Sequence, residues 1–392
     1  MDQRAFTLSP DVPRRLRWPA LKRTWVIQRN PTSHSVTFTP LTPGLRAFAF
    51  HHVTAPQYRL LELLNGEYSV EMIQNRLQNT FHSLSAGVIA TMLNQLDHIG
   101  LLEEANVKPP ADWTPEYVLR YSRHLAVFAG YERPDLSRFE QQRRMRDAHI
   151  VLLGAGGVGS WVAMQLGQLG IGHLTIADGD EIMSSNLTRH ALYTEGDIGR
   201  NKAIAAAEAL YRLNSEMEVT VIAHAIENEE EMVAISRGAN LVVLTFGPFL
   251  LPTPMSIHHS CFQQGVPCVA LGGLHLGPLV VPGETACFTC TQSFLASQMP
   301  WQNVRPDRED EELVLGRGYY AVFAPLIAAC TGLGITEISK FIAGFAPSAL
   351  ANGLLHLNPT DLTLTRIAIP RDPACPVCGM ADERSHNEKR RN

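Results

Sequence analysis

His149-Ile150-Val151-Leu152-Leu153-Gly154-Ala155-Gly156-Gly157-Val158-Gly159-Ser160 is the stretch on which the fold turns. The run from His149 to Leu153 reads as a buried strand, and Trp161 to Leu169 follows as a helix. Strand, glycine-rich turn and helix in that order aim backbone N–H groups at a phosphate. A second strand, His173 to Ala177, ends on Asp178, where a carboxylate meets ribose hydroxyls. A nucleotide site on Gly154, Gly156, Gly157, Gly159 and Asp178 is therefore expected. The competing reading is a tight structural turn in a nucleotide-free α/β domain. The loop alone leaves ATP and a dinucleotide both open.

The chain has 392 residues, 45% hydrophobic and 18% charged, the composition of a globular protein of two or three domains. Its formal net charge of −5 gives no overall basic field, so nucleic acid is not an expected partner. Residues 1–34 read as a basic arm. There Arg4, Arg14, Arg15, Arg17, Lys22, Arg23 and Arg29 face Asp2 and Asp11, which suits an acidic partner or a solvated tail. No secretory signal is evident, and no apolar run reaches the roughly 18 residues that span a bilayer. A cytoplasmic protein with no membrane partner is expected. Four of the seven cysteines form two Cys-x-x-Cys pairs, which suits a metal site in a reducing compartment better than a disulfide framework.

Outward from the loop, residues 35–105 read as a small winged-helix-like α+β domain. Ser35 to Thr39 and Arg46 to Val53 form a hairpin. Helices follow from Ala55 with Tyr58, Leu61 and Leu64 on one face, from Ser69 with Met72, Ile73 and Leu77, and from Ser85 to His98 with Val88, Met92, Leu96 and Ile99 in register. Residues 106–147 read as a linker and an arginine-bearing helix, 148–380 as a doubly wound α/β domain, and 381–392 as a charged, disordered tail. Gly318 to Phe345 reads as mostly helical, and Leu362 to Ile367 as a strand.

The apolar spacing around the turn in Leu61-Glu62-Leu63-Leu64-Asn65-Gly66-Glu67-Tyr68-Ser69-Val70-Glu71-Met72-Ile73 resembles the PqqD-type domain. That family grips the leader of a ribosomally made precursor peptide, which adds a strand to the hairpin edge and packs on the third helix. A DNA-binding winged helix is the alternative, but Ser85 to His98 contains no Lys or Arg.

Four further signals fall in order: Arg120-Tyr121-Ser122-Arg123-His124, Asp178-Gly179-Asp180, Asn186-Leu187-Thr188-Arg189, and Lys202 after Gly199-Arg200-Asn201. With the glycine loop, this ordered set over residues 117–380 resembles the ubiquitin-activating-enzyme-like superfamily of ThiF, MoeB and MccB. The resemblance implies a Rossmann-like adenylation domain that uses ATP and Mg²⁺ to activate a carboxylate, in a homodimer. Asp178 corresponds to the ribose-binding carboxylate. Arg189 and Lys202 are the cations beside the phosphates, and Asn186 either holds a phosphate or positions Arg189. Arg123 corresponds to the arginine that reaches the neighbouring subunit's ATP. The family's usual aspartate after the strand Leu241 to Leu244 is replaced here by Gly247, which leaves Asp180 as a candidate metal carboxylate. Asp180 is also a candidate cap for the following turn.

Cys287-Phe288-Thr289-Cys290 and Cys375-Pro376-Val377-Cys378 suit tetrahedral zinc, and their long separation matches the superfamily's structural zinc. Residues 291–329 contain no cysteine, so transfer through an enzyme thioester is not expected, and Cys330 lies in an apolar stretch that reads as core. Pro300 to Gly318 is charged and reads as a lid over bound peptide or an ordinary loop. His190, His275 and the lid carboxylates are the candidate general bases. A leader-gripping domain fused to a carboxylate activator implies maturation of a ribosomal peptide, with glutamate side chains dehydrated and cyclised as in pantocin-type pathways. A non-catalytic leader-presenting partner and a sulfur-carrier adenylyltransferase are the alternatives.

Overall fold

The computed structural model describes residues 16–30, 32–42, 44–133, 135–226, 228–245, 255–298 and 323–379. The chain divides into two compact units, Met1–Gln142 and Arg143–Asn392.

In the first unit, β1 (Pro19–Leu21) pairs antiparallel with β5 (Leu102–Glu104), and β2 (Trp25–Asn30), β3 (Ser35–Pro40) and β4 (Phe48–Phe50) form an antiparallel sheet in that order. Two of these strands lie within the expected basic arm. Trp25-Val26-Ile27 supplies the apolar residues that pair β2 with β3, so this part of the arm is sheet rather than tail. Three helices follow: α1 (Ala55–Leu63), α2 (Val70–Thr80) and α3 (Ala86–His98). Thr54 opens α1 by giving its N–H to Gln57 Oε1 at 2.8 Å. Ser69 and Ser85 cap α2 and α3 by accepting from the Met72 and Val88 N–H groups.

The core of this unit uses Val36, Phe38, Leu60, Ile73, Leu77, Ile89, Leu93 and Leu96. Here the sequence reading of two helix faces needs correction. Met72 is 40% exposed while Ile73 and Leu77 are buried. On α3 the buried stripe is Ile89, Leu93 and Leu96, whereas Val88 and Ile99 are 46% and 41% exposed. The helix carries two apolar stripes about one residue apart, and helical period alone does not say which one meets the sheet. Residues 106–147, expected as a linker with one helix, carry three: α4 (Pro115–Arg120), α5 (Ser122–Gly130) and α6 (Arg138–Asp147), with the unit boundary falling inside α6.

In the second unit an eight-stranded sheet has the order β13-β12-β11-β10-β9-β6-β7-β8. The strands are β6 (His149–Leu153), β7 (His173–Ala177), β8 (Glu218–Ile222), β9 (Leu241–Leu244), β10 (Cys268–Gly272), β11 (His275–Val280), β12 (Gly353–Leu357) and β13 (Leu364–Ala368). Strands β6 to β10 run parallel and the remainder antiparallel. The helices are α7 (Gly157–Leu169), α8 (Lys202–Leu213), α9 (Glu229–Ser236), α10 (Met255–Gln263), α11 (Phe288–Gln298) and α12 (Ala324–Ala343). The chain winds out from β6 to β7 and β8, then returns to β9 on the other side. The crevice at the carboxyl ends of β6 and β9 is therefore the switch point where such sheets bind ligands. This is the doubly wound Rossmann-like architecture expected. The last strand starts at Leu364 rather than Leu362, because Leu362 has a φ of +58° and belongs to the turn. Helix α12 is long and apolar enough to cross a membrane, but half of it is buried inside the unit, where it packs against α7 and contains the buried Glu337.

The first unit also contains a buried ion network. Arg138 bonds Glu132 at 2.9 Å and also bonds Glu103, with side chains 23%, 9% and 14% exposed. Burial by itself would raise the Glu132 carboxyl. The hydrogen bond and charge of Arg138, with the charge of Lys22 added, instead hold it below the usual carboxylate range. The folded pKa lies below the unfolded one, so the network's stabilisation is complete above about pH 4.3 and is lost as pH falls through the depressed folded value. Arg138→Ala is expected to destabilise the first unit by about 3–5 kcal/mol at pH 7, because it removes the guanidinium that both part-buried carboxylates bond. Urea unfolding at pH 7 and at pH 3 tests this, with a much smaller penalty expected at the lower pH.

Candidate active site

Sharp local constraints set the glycine loop. Gly154 has a φ of +95°, a conformation that disfavours any side chain. A Cβ on Gly159 would lie 2.0 Å from the Gly154 carbonyl oxygen, so the close approach of α7 to the strand end requires glycine there. Gly156 is different: a Cβ added to it meets nothing within 4 Å, so the backbone there borders open space. Thr245, at the end of β9, donates its hydroxyl to the Leu153 and Gly154 carbonyls at 2.9 and 3.0 Å, tying the two strand ends together across the crevice.

Asp178 is the anchor of the loop. One carboxylate oxygen accepts the Ala155 N–H at 2.6 Å and the other accepts the Asp180 N–H at 2.8 Å. Asn201 donates to the Asp178 carbonyl at 3.0 Å and caps α8 by accepting from the Ile204 N–H. That cap brings Lys202, 7% exposed, to the first position of α8. The Lys202 ammonium pairs with Asp180 at 2.6 Å, so Asp180 serves as the lysine's counter-ion.

Asn186 is 2% exposed and closes a 3₁₀ turn over Ser184–Asn186. Its Oδ1 accepts from the Met183 N–H, and its carbonyl accepts from the Arg189 and His190 N–H groups. These bonds set the turn that leads into Arg189. The Arg189 stem runs over the loop, 3.4 Å from where a Gly157 Cβ would stand, and its guanidinium donates to the Ser185 carbonyl at 2.8 Å. The first turn of α7 holds the same segment: the Trp161 indole donates to the Arg189 carbonyl at 3.1 Å, and the Ser160 hydroxyl accepts the Ala191 N–H at 3.0 Å. Loop, Asp178, Asp180, Asn186, Arg189 and Lys202 therefore form one constellation in the second unit. Arg123 is exposed on α5 in the first unit.

His190, a candidate base, lies between the two cations. Burial first, then the charges of Arg189 and Lys202, push it down to about 4, leaving a neutral and weakly basic ring at pH 7. His275 stacks on His356 at 4.5 Å and is also lowered, by burial and by that neighbour. Gly247, the Pro300–Gly318 segment and the tail from 381 lie outside the described residues.

Sequence reading missed Tyr193, Thr245, Ser160 and Trp161. Tyr193 is 8% exposed, with its hydroxyl 2.7 Å from the Ala155 carbonyl and 3.1 Å from the Lys202 carbonyl. An aromatic residue between two loop motifs carries no spacing signal that would single it out.

The four cysteines converge although 88 positions separate the pairs. Their sulfurs all lie within 4.8 Å, with separations of 3.9, 3.6 and 3.3 Å for Cys287–Cys290, Cys287–Cys375 and Cys290–Cys378. A tetrahedral ion with metal–sulfur bonds of about 2.3 Å needs sulfurs about 3.8 Å apart, so the set fits. Burial raises the Cys290 thiol to about 11 and pushes Cys287 up as well. At Cys375 burial is outweighed by N–H donors from Cys378 and Val377, which bring it to about 7. Cys330 is buried in α12, as core. Elemental analysis is expected to find about one zinc per chain, and Cys378→Ala to lose it along with part of the thermal stability. Full metal retention by that variant would refute the site.

Fold and site together define a doubly wound α/β domain with a glycine-rich loop at the sheet's switch point. The ThiF family's sequence profile matches residues 121–377, and the chain belongs to that family. It is 25% identical over 275 residues to the molybdopterin-synthase adenylyltransferase of Escherichia coli K12, covering 69% of this chain and 100% of that one. It is 29% identical over 266 residues to the SAMP-activating enzyme E1 of Haloferax volcanii, covering 66% and 88%. Among solved structures, E. coli MccB, crystallised with MccA-N7isoAsn, aligns with a TM-score of 0.71 at 22% identity over 92% of this chain and 99% of that one. PaaA aligns with a TM-score of 0.66 at 20% identity over 89% and 99%.

Proposed function

We propose that this protein activates a carboxylate of a ribosomally made precursor peptide with ATP. The carrying observation is that one chain holds both the loop constellation and, in its first unit, an apolar groove of about 420 Å³. The groove lies between the end of β4 and helices α1 and α3, and its walls include Phe50, Val53, Leu61, Met92 and Ile99. Met92 is only partly buried on α3 and Ile99, just past its end, is 41% exposed. The outer edge of β4 pairs with no strand among the described residues. A free strand edge beside an apolar groove suits an extended peptide that adds a strand and inserts alternate side chains. This supports reading residues 35–105 as a PqqD-like leader-binding domain. The family's ATP chemistry and the likeness to MccB, solved both with MccA and with ATP, support the same reading.

In this reading the N–H groups of Gly156 and Gly157 face the phosphates, Asp178 accepts the ribose hydroxyls, and Arg189 and Lys202 balance the charge that grows as the peptide carboxylate attacks the α-phosphorus. The new carboxyl–phosphate bond forms as the bond to pyrophosphate breaks, leaving an acyl-adenylate. Asp180, now the counter-ion of Lys202, is the carboxylate that would hold Mg²⁺, which would supply further positive charge beside the phosphates. Arg123 reaches the nucleotide of a partner subunit in a homodimer, and zinc on the four cysteines is structural. The bound leader raises the local concentration of the core peptide, whose glutamate carboxyls are dehydrated and cyclised as in pantocin-type maturation. A cytoplasmic enzyme is implied. The sulfur-carrier adenylyltransferases among its relatives favour a second reading, in which the substrate is a sulfur-carrier protein.

The test is incubation with ATP, Mg²⁺ and candidate precursor peptides, including any short one encoded beside its gene, read by mass spectrometry. Loss of water from the peptide with AMP release is expected, and Arg189→Ala is expected to slow turnover by about 10²–10³-fold. Met92→Asp should weaken peptide binding while leaving ATP binding unchanged. Tight peptide binding without nucleotide turnover by the wild type would overturn the enzyme reading, and turnover only with a sulfur-carrier protein would favour the second.

A further inference from the structure

We propose that Tyr193 is a positioning residue that locks the Ala155–Gly156 peptide so that the Gly156 N–H faces the nucleotide phosphates. This rests on the nucleotide site proposed above. Ala155 is fully buried and held from both sides: its N–H donates to Asp178 at 2.6 Å, and its carbonyl accepts the Tyr193 hydroxyl at 2.7 Å. In a planar trans peptide the C=O and the following N–H point in opposite directions. Holding the Ala155 carbonyl inward on Tyr193 therefore turns the Gly156 N–H outward, and Gly156 is the loop position that borders open space. Glycine flanks this peptide and tolerates alternative backbone angles, so without the clamp the plane is free to rotate.

The same hydroxyl reaches the other half of the site. The Lys202 carbonyl is its second acceptor, at 3.1 Å, sharing the single proton. Tyr193 thus links the loop that meets the phosphates to the first residue of α8, whose side chain is the site's buried cation. The ring is fixed in turn by an edge-on contact with His190, with centroids 5.2 Å apart and planes at 66°. Tyr193 touches no reacting atom in this role. It acts through the loop and through Lys202.

The test is Tyr193→Phe in the full-length, metal-loaded protein, which keeps the ring and removes only the hydroxyl. Calorimetric titration with ATP and separately with adenosine distinguishes positioning from folding. Expected is about a tenfold loss of ATP affinity with adenosine affinity unchanged, because only a phosphate-bearing ligand uses the oriented N–H, and a thermal midpoint lowered by no more than a few degrees for the buried carbonyl left unpaired. Unchanged ATP affinity or an equal loss for ATP and adenosine overturns the proposal. Wild-type protein that binds no ATP overturns the nucleotide reading itself. Wild-type binding with an unaltered Phe variant overturns the clamp alone.

Discussion

The carboxylate of Asp178 is the interaction on which the second unit's site depends. It sits at the carboxyl end of β7, and its two oxygens close two different backbone segments, at Ala155 and at Asp180. The first contact fixes the glycine loop after β6, and the second fixes the turn whose Asp180 pairs with Lys202. Each oxygen keeps lone-pair capacity beyond these bonds, the capacity that the proposed ribose contact would use. Around this anchor the sheet's change of direction between β6 and β9 leaves the crevice, and Thr245 keeps its two walls in register.

The cysteine cluster applies a comparable constraint at long range. It joins the start of α11 to the segment after β13, where Arg371 also donates to the Cys378 carbonyl at 2.7 Å. Burial raises the Cys287 and Cys290 thiols, while N–H donors lower Cys375. The donor set reads as a metal site because four sulfurs from two distant segments lie within 4.8 Å of one another, a spacing that suits a tetrahedral ion.

The first unit shows how a helix with two apolar stripes divides its work. Ile89 and Leu93 fill the core, Leu96 and Met92 bridge core and groove, and Ile99 faces only the groove beside β4. Sequence spacing placed Leu96 correctly in the core but took exposed Val88 and Ile99 with it and passed over Ile89 and Leu93, because period alone carries no information about which side the sheet occupies. For the same reason β2 was hidden in a segment whose arginines suggested a tail. Its apolar residues acquire meaning only through pairing with β3.

What the sequence by itself determined is what local chemistry encodes: the strand–glycine–helix turn, the acidic residue closing the next strand, the ordered Asn186, Arg189 and Lys202, and the paired cysteines. These signals span a few residues each, and glycine or cysteine chemistry restricts what they can form. The tertiary structure alone decided which distant atoms meet. Tyr193 reaches a carbonyl 38 residues away, Cys287 meets a sulfur 88 residues away, and Asp180 takes Lys202 as its partner. Those pairings arise from the order in which strands assemble around β6, and a hydrogen-bonding partner chosen by the packing of a sheet leaves no periodic trace in the chain.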